Sequence, residues 1–185
     1  GPILGNNRNY NNNVIADNKG YDISEHEELE EVAVGVTSKI DGYDENGDRI
    51  ITEYSVYAAE GLEWVASQVD EGHSTFEGVT IQLSNDLDLS NDNWNPIGDN
   101  RTDGAFSGTF DGNGHTIKGA HITGAHCFNG AVLWSKEGWG LFSVTDGATI
   151  KNLKVDGATF ASYTVISGTI AGYANNTTFE NIEIS

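Results

Sequence analysis

The chain has 185 residues, with 28 acidic against 9 basic side chains and a formal net charge of −19. A surface this acidic repels phosphate backbones and anionic lipid headgroups, which argues against nucleic-acid and membrane-surface partners. No apolar run approaches the roughly 18 residues of a spanning helix, so the sequence predicts no transmembrane segment. With 37% hydrophobic residues, the chain is nevertheless composed like a globular protein.

The chain holds one cysteine, Cys127, and no methionine. A lone cysteine cannot close an internal disulfide, and we predict a buried structural residue rather than a thiol or metal site. The missing initiator methionine indicates a processed or excised chain, and Gly1-Pro2 is typical of a scar left by tag removal. Together these features favour an exported protein, extracellular or at the cell surface.

The first part of the chain is polar and acidic. Residues 1–20 form an Asn-rich segment that we interpret as an extended arm, since it offers little apolar surface to bury. Residues 21–57 start with an acidic block and continue as two alternating strands, between which Asn46-Gly47 predicts a type I′ hairpin turn. Residues 1–71 carry 16 acids and 4 bases, net −12, whereas residues 72–185 carry 12 and 5, net −7.

Residues 58–185 begin with a helical period and then change to short strands. The predicted helix ends near Gly72, with Trp64 beside its apolar stripe. The stripe consists of Leu62, Val65, Ala66 and Val69. From Val79 onward the period is two, in short runs separated by Gly, Asn and Asp. Many short strands without intervening helices indicate a sandwich, a barrel or a solenoid.

An internal repeat decides in favour of a solenoid. Residues 140–155 align with residues 169–184 at a constant offset of 29, which places Ile150 over Phe179 and Asn152 over Asn181. A partial earlier copy, residues 115–123, aligns with residues 148–156. Apolar positions that recur in register are typical of stacked coils. We predict that the two asparagines lie at a bend, accept a left-handed backbone and form a ladder.

The same region resembles a known family. Its motifs are WNPIG at 94–98, FSGTFDGNGHTI at 106–117, GWGLF at 138–142 and IKNL at 150–153. Residues 57–185 are similar to the β-helix segments of large bacterial surface proteins that carry the GLUG motif, and to pectate-lyase-like β-helices. The chain departs from the motif at Ser143, where Gly would complete Gly-Leu-x-Gly, whereas the second copy has Gly172.

The resemblance implies an all-β fold, a right-handed parallel β-helix with a short N-terminal capping helix at 59–71 and an N-terminal hairpin. It implies a non-enzymatic adhesin or structural stalk of a gut-type bacterium, with a glycan or host-surface ligand as the candidate partner. A β-helix polysaccharide lyase or glycoside hydrolase, and a non-catalytic spacer of a large secreted peptidase, stay open as alternatives. We further expect a solenoid truncated at its C-terminal end.

A calcium site is one candidate for chemistry in the hairpin. Asp44, Asn46, Asp48 and Glu53 are spaced partly like the ligands of an EF-hand loop, with Ca²⁺ as the only cofactor that the sequence suggests. However, Gly42 occupies the first ligand position, and no amphipathic helix flanks the loop. We therefore favour a hairpin turn over an EF-hand site.

Three carboxylates are the candidates for catalysis. Asp86 and Asp88 share one face of a strand, and Asp111 lies in the following coil. Because Leu87 and Leu89 take the inward positions, we favour a solvated acidic face over an active site. A lyase of this fold also needs a base above its carboxylates. The basic residues of the β-helix are Arg101, Lys118, Lys136, Lys151 and Lys154.

Aromatic side chains are the candidates for ligand binding. Trp94, Trp139 and Tyr163 lie outside the tightest apolar alternation, and an exposed ring could stack on a sugar face. The alternative, which we favour for Trp94 and Trp139, is that they cover the ends of the coils. The sequence has no His-Glu-x-x-His pair, so it predicts no peptidase zinc site.

Overall fold

The computed structural model describes residues 28–91, 93–98, 104–122, 126–128, 131–133, 138–160 and 166–185. The predicted arm at 1–20 and the candidate ligand residue Tyr163 lie outside the described residues, as does the side chain of Cys127. Among the described residues, no helix combines the length and the apolar character needed to cross a membrane. The described chain is mostly β, with one helix.

An antiparallel meander opens the fold. Its strands are β1 (Glu28–Ala33), β2 (Val36–Tyr43) and β3 (Arg49–Val56), so the predicted hairpin of β2 and β3 is confirmed and gains a third strand. The predicted type I′ turn is wrong, because it needs positive φ at both central residues and only Gly47 has it, at +83°. The Gly47 N–H donates instead to the Asp44 carbonyl at 3.0 Å.

A single helix follows the meander in the described chain. Helix α1 (Ala59–Asp70) buries the predicted apolar stripe and ends before Gly72, whose φ of +72° stops the helical path. Trp64 lies beside the stripe and packs on Tyr54 and Phe76, with ring centroids 5.3 and 6.2 Å away. The helix contacts β2 and β3, and its buried side chains belong to the same core as the coils that follow. The predicted helix is therefore confirmed.

The remaining strands stack as parallel coils and form a β-solenoid of about four turns, which confirms the predicted fold class. In chain order they are β4 (Thr80–Leu83), β5 (Leu87–Asp88), β6 (Asn93–Trp94), β7 (Thr109–Asp111), β8 (Thr116–Lys118), β9 (His121–Ile122), β10 (His126–Phe128), β11 (Ala131–Leu133), β12 (Phe142–Asp146), β13 (Thr149–Asp156), β14 (Thr159–Phe160), β15 (Ala171–Asn175) and β16 (Thr178–Ile184). Of these described strands, only β10 and β11 leave the coils, as an antiparallel hairpin between β9 and β12.

The coils share parallel sheets. One sheet runs from β3 through β4, β7 and β13 to β16, so the meander and the solenoid share it. The second halves of β13 and β16 turn onto another face, where β8 pairs with β13 and β5 pairs with β8. A third face holds β6, β9 and β14, and a fourth holds β12 and β15. The core lies between these faces and under α1.

The internal repeat reflects the register of the last two coils. Ile150 pairs with Phe179, and β12 pairs with β15 at the same offset. Asn152 and Asn181 have φ of +52° and +51°, which sets the bend between two faces. The Asn181 amide donates to Asn152 Oδ1 at 3.0 Å, so the predicted ladder is confirmed.

The predicted alignment of residues 115–123 with residues 148–156 is wrong. It would pair Ile117 with Ile150, whereas Ile117 pairs with Val155 and Ile150 pairs with Phe110. The β10–β11 hairpin lengthens the coil that contains Ile117. The bend of that coil between β7 and β8 consists of residues 112–115, whereas the matching bend of the next coil consists only of residues 152–153. The recurring Thr-Ile-Lys string at 116–118 and 149–151 therefore belongs to different faces of the solenoid.

The Gly-Leu-x-Gly motif marks a close approach of two coils. A Cβ on Gly172 would lie 2.2 Å from the Trp139 backbone nitrogen, so only glycine fits at this position. At Ser143, where the motif has glycine, the side chain is fully buried, and its hydroxyl accepts the Gly138 N–H at 3.2 Å. The departure at Ser143 thus contributes a hydrogen bond instead of a second close contact.

Candidate functional site

The first catalytic candidate, Asp86, bridges two coils. Its Oδ1 accepts the Thr116 N–H at 2.9 Å and lies 3.2 Å from His115 Nδ1. The Thr116 and His115 hydrogen bonds hold the pKa of Asp86 below its usual range. A carboxyl group with a lowered pKa stays ionised near neutral pH and is unsuited to act as a general acid.

Asp88 is held in a similar way. Its Oδ1 accepts the Ser90 hydroxyl at 2.5 Å and the Ser90 N–H at 3.0 Å, and Lys118 Nζ lies 3.6 Å from Oδ2. The two bonds from Ser90, assisted by Lys118, lower the pKa of Asp88. Leu87 and Leu89 are buried, which confirms that they point inward and Asp88 outward.

Asp111 lies on another face of the solenoid and contacts a different set of residues. Partial burial raises its pKa, but the Asn152 amide at 3.0 Å and the Asn113 N–H at 2.9 Å outweigh that effect. Lys151 Nζ lies 3.4 Å from Oδ2 and adds to the lowering. Asp111 shares none of these partners with Asp86 or Asp88, whereas Lys118 contributes to the lowered pKa of both Asp86 and Asp88.

The lysines of the described β-helix are paired from coil to coil. Lys118 pairs with Asp88, Lys151 with Asp111, and Lys154 lies 3.8 Å from Glu183. Each lysine also stands directly opposite its acid in the strand register. Arg101 and Lys136 lie outside the described residues. Within the described chain, every lysine that the lyase hypothesis requires is engaged by an acid.

Two of the calcium candidates in the hairpin, Asp44 and Glu53, already accept hydrogen bonds within the fold. Asp44 Oδ1 accepts the N–H groups of Asn46 and Asp48, both at 2.8 Å. Glu53 lies on β3, where its carboxylate accepts the Gln82 amide at 2.9 Å. Across the described ranges, no group of three or more His, Cys, Asp or Glu side chains is placed to hold a metal ion. A turn-capping role accounts for Asp44.

Two of the aromatic candidates are buried, which corrects the hypothesis that they stack on sugars. Trp94 is 4% exposed and Trp139 5% exposed, and both belong to the core. The Trp94 indole N–H donates to the Leu141 carbonyl at 3.0 Å. Rings buried to this extent offer no face on which a saccharide could stack. The sequence analysis favoured a covering role for these two residues over sugar stacking, and their burial agrees with that preference.

A groove lies between the capping helix and the first coil, and we call it the cap groove. It has a volume of about 190 Å³. Helix α1 contributes Ala59, Glu60 and Glu63 to one wall, and the buried side chains of Leu89 and Trp94 contribute to the other. Because the two walls come from separate segments of the sequence, no local motif predicts the cap groove.

Polar side chains of the first coil complete the cap groove. Asp88, Asn91 and Asn93 line it opposite the helix. The position of the helix is fixed from its C-terminal end, where Asp70 accepts the Asn95 amide and the Gly98 N–H, both at 3.0 Å. The groove is therefore a shaped feature of the fold, held by bonds outside its own lining.

A second cleft follows the bend of the last coils and has a volume of about 510 Å³. Its polar side chains already bond with one another: Asn181 donates to Asn152, and Lys154 is paired with Glu183. In the cap groove, by contrast, Glu60 and Glu63 are exposed. The cap groove is accordingly the stronger candidate for a ligand site.

Comparisons with protein-family models, with curated proteins and with solved structures find no match to this chain.

Proposed function

We propose that the chain is a non-enzymatic solenoid module of a bacterial cell-surface or secreted protein, acting as an adhesin or a structural stalk. The observation that carries this proposal is the pairing of outward charges between coils. Lys118, Lys151 and Lys154 each engage a carboxylate of the neighbouring coil. Charges arranged in this way join adjacent coils, and each lysine of the described β-helix is already engaged by an acid rather than free to act as a catalytic base.

The architecture supports a mechanical or presenting role. Each coil of a solenoid contacts only its neighbours, so the molecule extends in one direction and presents long lateral faces. The core columns of Ile81, Phe110 and Ile150 continue from coil to coil under the helix. A net charge of −19 opposes self-association, as suits a chain displayed at high local concentration.

Two other functions are compatible with the sequence: a β-helix lyase or hydrolase, and a spacer in a large secreted peptidase. The lowered pKa values of Asp86, Asp88 and Asp111 count against the enzyme, since glycoside hydrolysis needs one carboxyl group with a raised pKa. A spacer would share the fold but would bind nothing. Fold alone does not separate the adhesin from the spacer.

Antibodies raised against the folded chain test the proposed location. We expect them to label intact source cells, or to detect the protein in the culture medium, without permeabilisation. Labelling only after permeabilisation would contradict the proposal.

A glycan array and a panel of immobilised host-surface proteins then separate the adhesin from the stalk, since a stalk leaves every spot unlabelled.

A further inference from the structure

We propose that the outer edge of β16 docks one β-strand of a partner polypeptide, in parallel register and with basic side chains opposite Glu180 and Glu183. Within the described chain, β16 pairs with β13 on one side and with no strand on the other. Such an edge presents a row of N–H and C=O groups to which a further strand can bond. The inference goes beyond the proposed function, because it assigns a partner surface to the end of the stack of coils. The cap groove supports no such assignment, since the apolar residues of its lining, Leu89 and Trp94, are buried.

The apolar columns of the core reach the β16 edge and are exposed there. Phe179 continues the column of Ile150 and is 44% exposed, whereas Ile150 is fully buried. Ile184 continues the column of Val155 and is 55% exposed, whereas Val155 is 1% exposed. A strand stacked on β16 would cover both exposed side chains, as each coil covers the one before it, and burial of their apolar area favours the contact. The edge thus continues the pattern of the interfaces between the described coils.

The charges along the columns select a basic partner. Lys151 stands between Asp111 and Glu180 in the strand register, so the sign of the charge alternates from coil to coil. Lys154 stands opposite Glu183 in the same way, with 3.8 Å between their charged atoms. No register pair of the described strands sets like charges opposite one another. Because opposite charges across strands stabilise and like charges destabilise, the strand beyond β16 should carry lysine or arginine opposite both glutamates.

The asparagine ladder fixes the register of the partner strand. The Asn152 amide donates to Asp111 Oδ1 and the Asn181 amide donates to Asn152 Oδ1, both at 3.0 Å. Each amide therefore bonds with the preceding coil, which leaves Asn181 Oδ1 to accept from the strand that follows. An asparagine at the centre of the partner supplies that donor and accepts the left-handed bend. Strand β13 itself has the whole pattern, in the sequence TIKNLKV at 149–155.

A second copy of this chain fits the β16 edge less well than a basic strand. The two ends of the shared sheet are both acidic, because β1 carries Glu30 and Glu31 and β16 carries Glu180 and Glu183. End-to-end contact of two copies would bring acid against acid, and the net charge of −19 adds a general repulsion. Charge complementarity therefore favours a partner of different sequence.

The test is fluorescence anisotropy of a labelled peptide titrated with the full chain. The peptide has the sequence of residues 148–156, is blocked at both termini, and offers the β13 pattern in trans. We expect saturable binding that weakens as salt rises. A matched peptide with Lys151→Glu/Lys154→Glu sets acids opposite acids and should not bind. A scrambled peptide of the same composition keeps the charge but loses the register, so it should bind about tenfold more weakly.

Variants of the protein locate the binding to the β16 edge. Glu180→Gln/Glu183→Gln should weaken the parent peptide about fivefold, because it removes two modest cross-strand charge pairs. The control Glu45→Gln/Glu77→Gln removes two exposed acids elsewhere and should bind like the wild type. Hydrogen exchange gives a second readout on the unmodified protein: amides of residues 178–184 should exchange more slowly with the peptide bound, and those of β1 should not change.

Three results would overturn the proposal. They are no binding of the parent peptide at millimolar protein, equal binding of either control peptide, and slowed exchange elsewhere than in β16. Self-association of the chain that protects the β16 amides without any peptide would assign the edge to a second copy instead, and would overturn the proposal as well. Failure here would leave the proposed location and lack of catalysis untouched, because those are measured by cell labelling and by polysaccharide turnover.

Discussion

The substitution Gly61→Ala separates helix propensity from helix docking. Gly61 lies inside α1, where alanine would stabilise an isolated helix by about 1 kcal/mol. In the folded protein, however, a Cβ at this position would lie 2.1 Å from the Gly35 carbonyl oxygen and 2.4 Å from its carbon. Both atoms are backbone in the β1–β2 turn, and the same carbonyl accepts the Tyr57 N–H at 2.8 Å.

The two effects differ enough to predict the sign. Overpacking against backbone atoms lowers the free energy of unfolding by about 3 kcal/mol, the upper end of the usual range. Because the higher helix propensity of alanine returns about 1 kcal/mol, the net loss of stability should be about 2 kcal/mol. Urea unfolding followed by tryptophan fluorescence measures the free energy of unfolding. The exposed position Glu63 serves as control, since Glu63→Ala should change stability by less than about 0.5 kcal/mol.

A peptide of residues 58–71 completes this experiment. By circular dichroism, the Gly61→Ala peptide should be more helical than the parent peptide, although the same change destabilises the protein. If the Gly61→Ala protein is as stable as the wild type, or more stable, α1 does not pack against the Gly35 backbone as described.

Three further predictions concern stability. The Ser38 hydroxyl is fully buried and has no partner among the described residues, so Ser38→Ala should raise the free energy of unfolding by about 1 kcal/mol, and a lowered melting temperature would count against this. Asn152 combines φ of +52° with hydrogen bonds to Asp111 and Asn181. In urea unfolding, Asn152→Ala should therefore lower the free energy of unfolding by about 2 kcal/mol. Asn152→Gly loses the same hydrogen bonds but accepts the positive φ, so it should lower the free energy of unfolding by less. Because the pKa of Asp111 is lowered in the folded state, its contribution is complete above the unfolded pKa and is lost as pH falls through the folded one. The free energy of unfolding should therefore fall less steeply below about pH 4 in Asp111→Asn than in the wild type. Parallel curves of unfolding free energy against pH would contradict the lowered pKa of Asp111.

Local pattern predicted much of the fold. The stripe from Leu62 to Val69 fixed the helix, because burial on one helical face leaves a periodic trace in the sequence. The internal repeat predicted the pairing of β13 with β16, since stacked coils of equal length repeat their inward positions. Asn152 and Asn181 were recognisable for the same reason, as a bend that recurs in register.

The rest depended on contacts that no local pattern records. The hairpin of β10 and β11 lengthens one coil, so a chance similarity of Thr-Ile-Lys strings gave the wrong partner for Ile117. Trp94 and Trp139 lie outside the tightest alternation, so the sequence favoured a covering role but could not show that both belong to the core. The cap groove joins a helix to a turn of the first coil, and only the folded chain brings Glu60 and Asn93 to one cavity.

Polysaccharide turnover tests the central claim of a non-catalytic solenoid most directly. The full chain, incubated at high concentration with acidic and neutral polysaccharides, is assayed for new reducing ends and for the ultraviolet absorbance of unsaturated uronates. We predict no product above the buffer control, because the carboxylates Asp86, Asp88 and Asp111 have lowered pKa values and two of them, Asp88 and Asp111, are paired with lysines. Product that forms with the wild type and disappears in Asp86→Asn, Asp88→Asn or Asp111→Asn would contradict the claim.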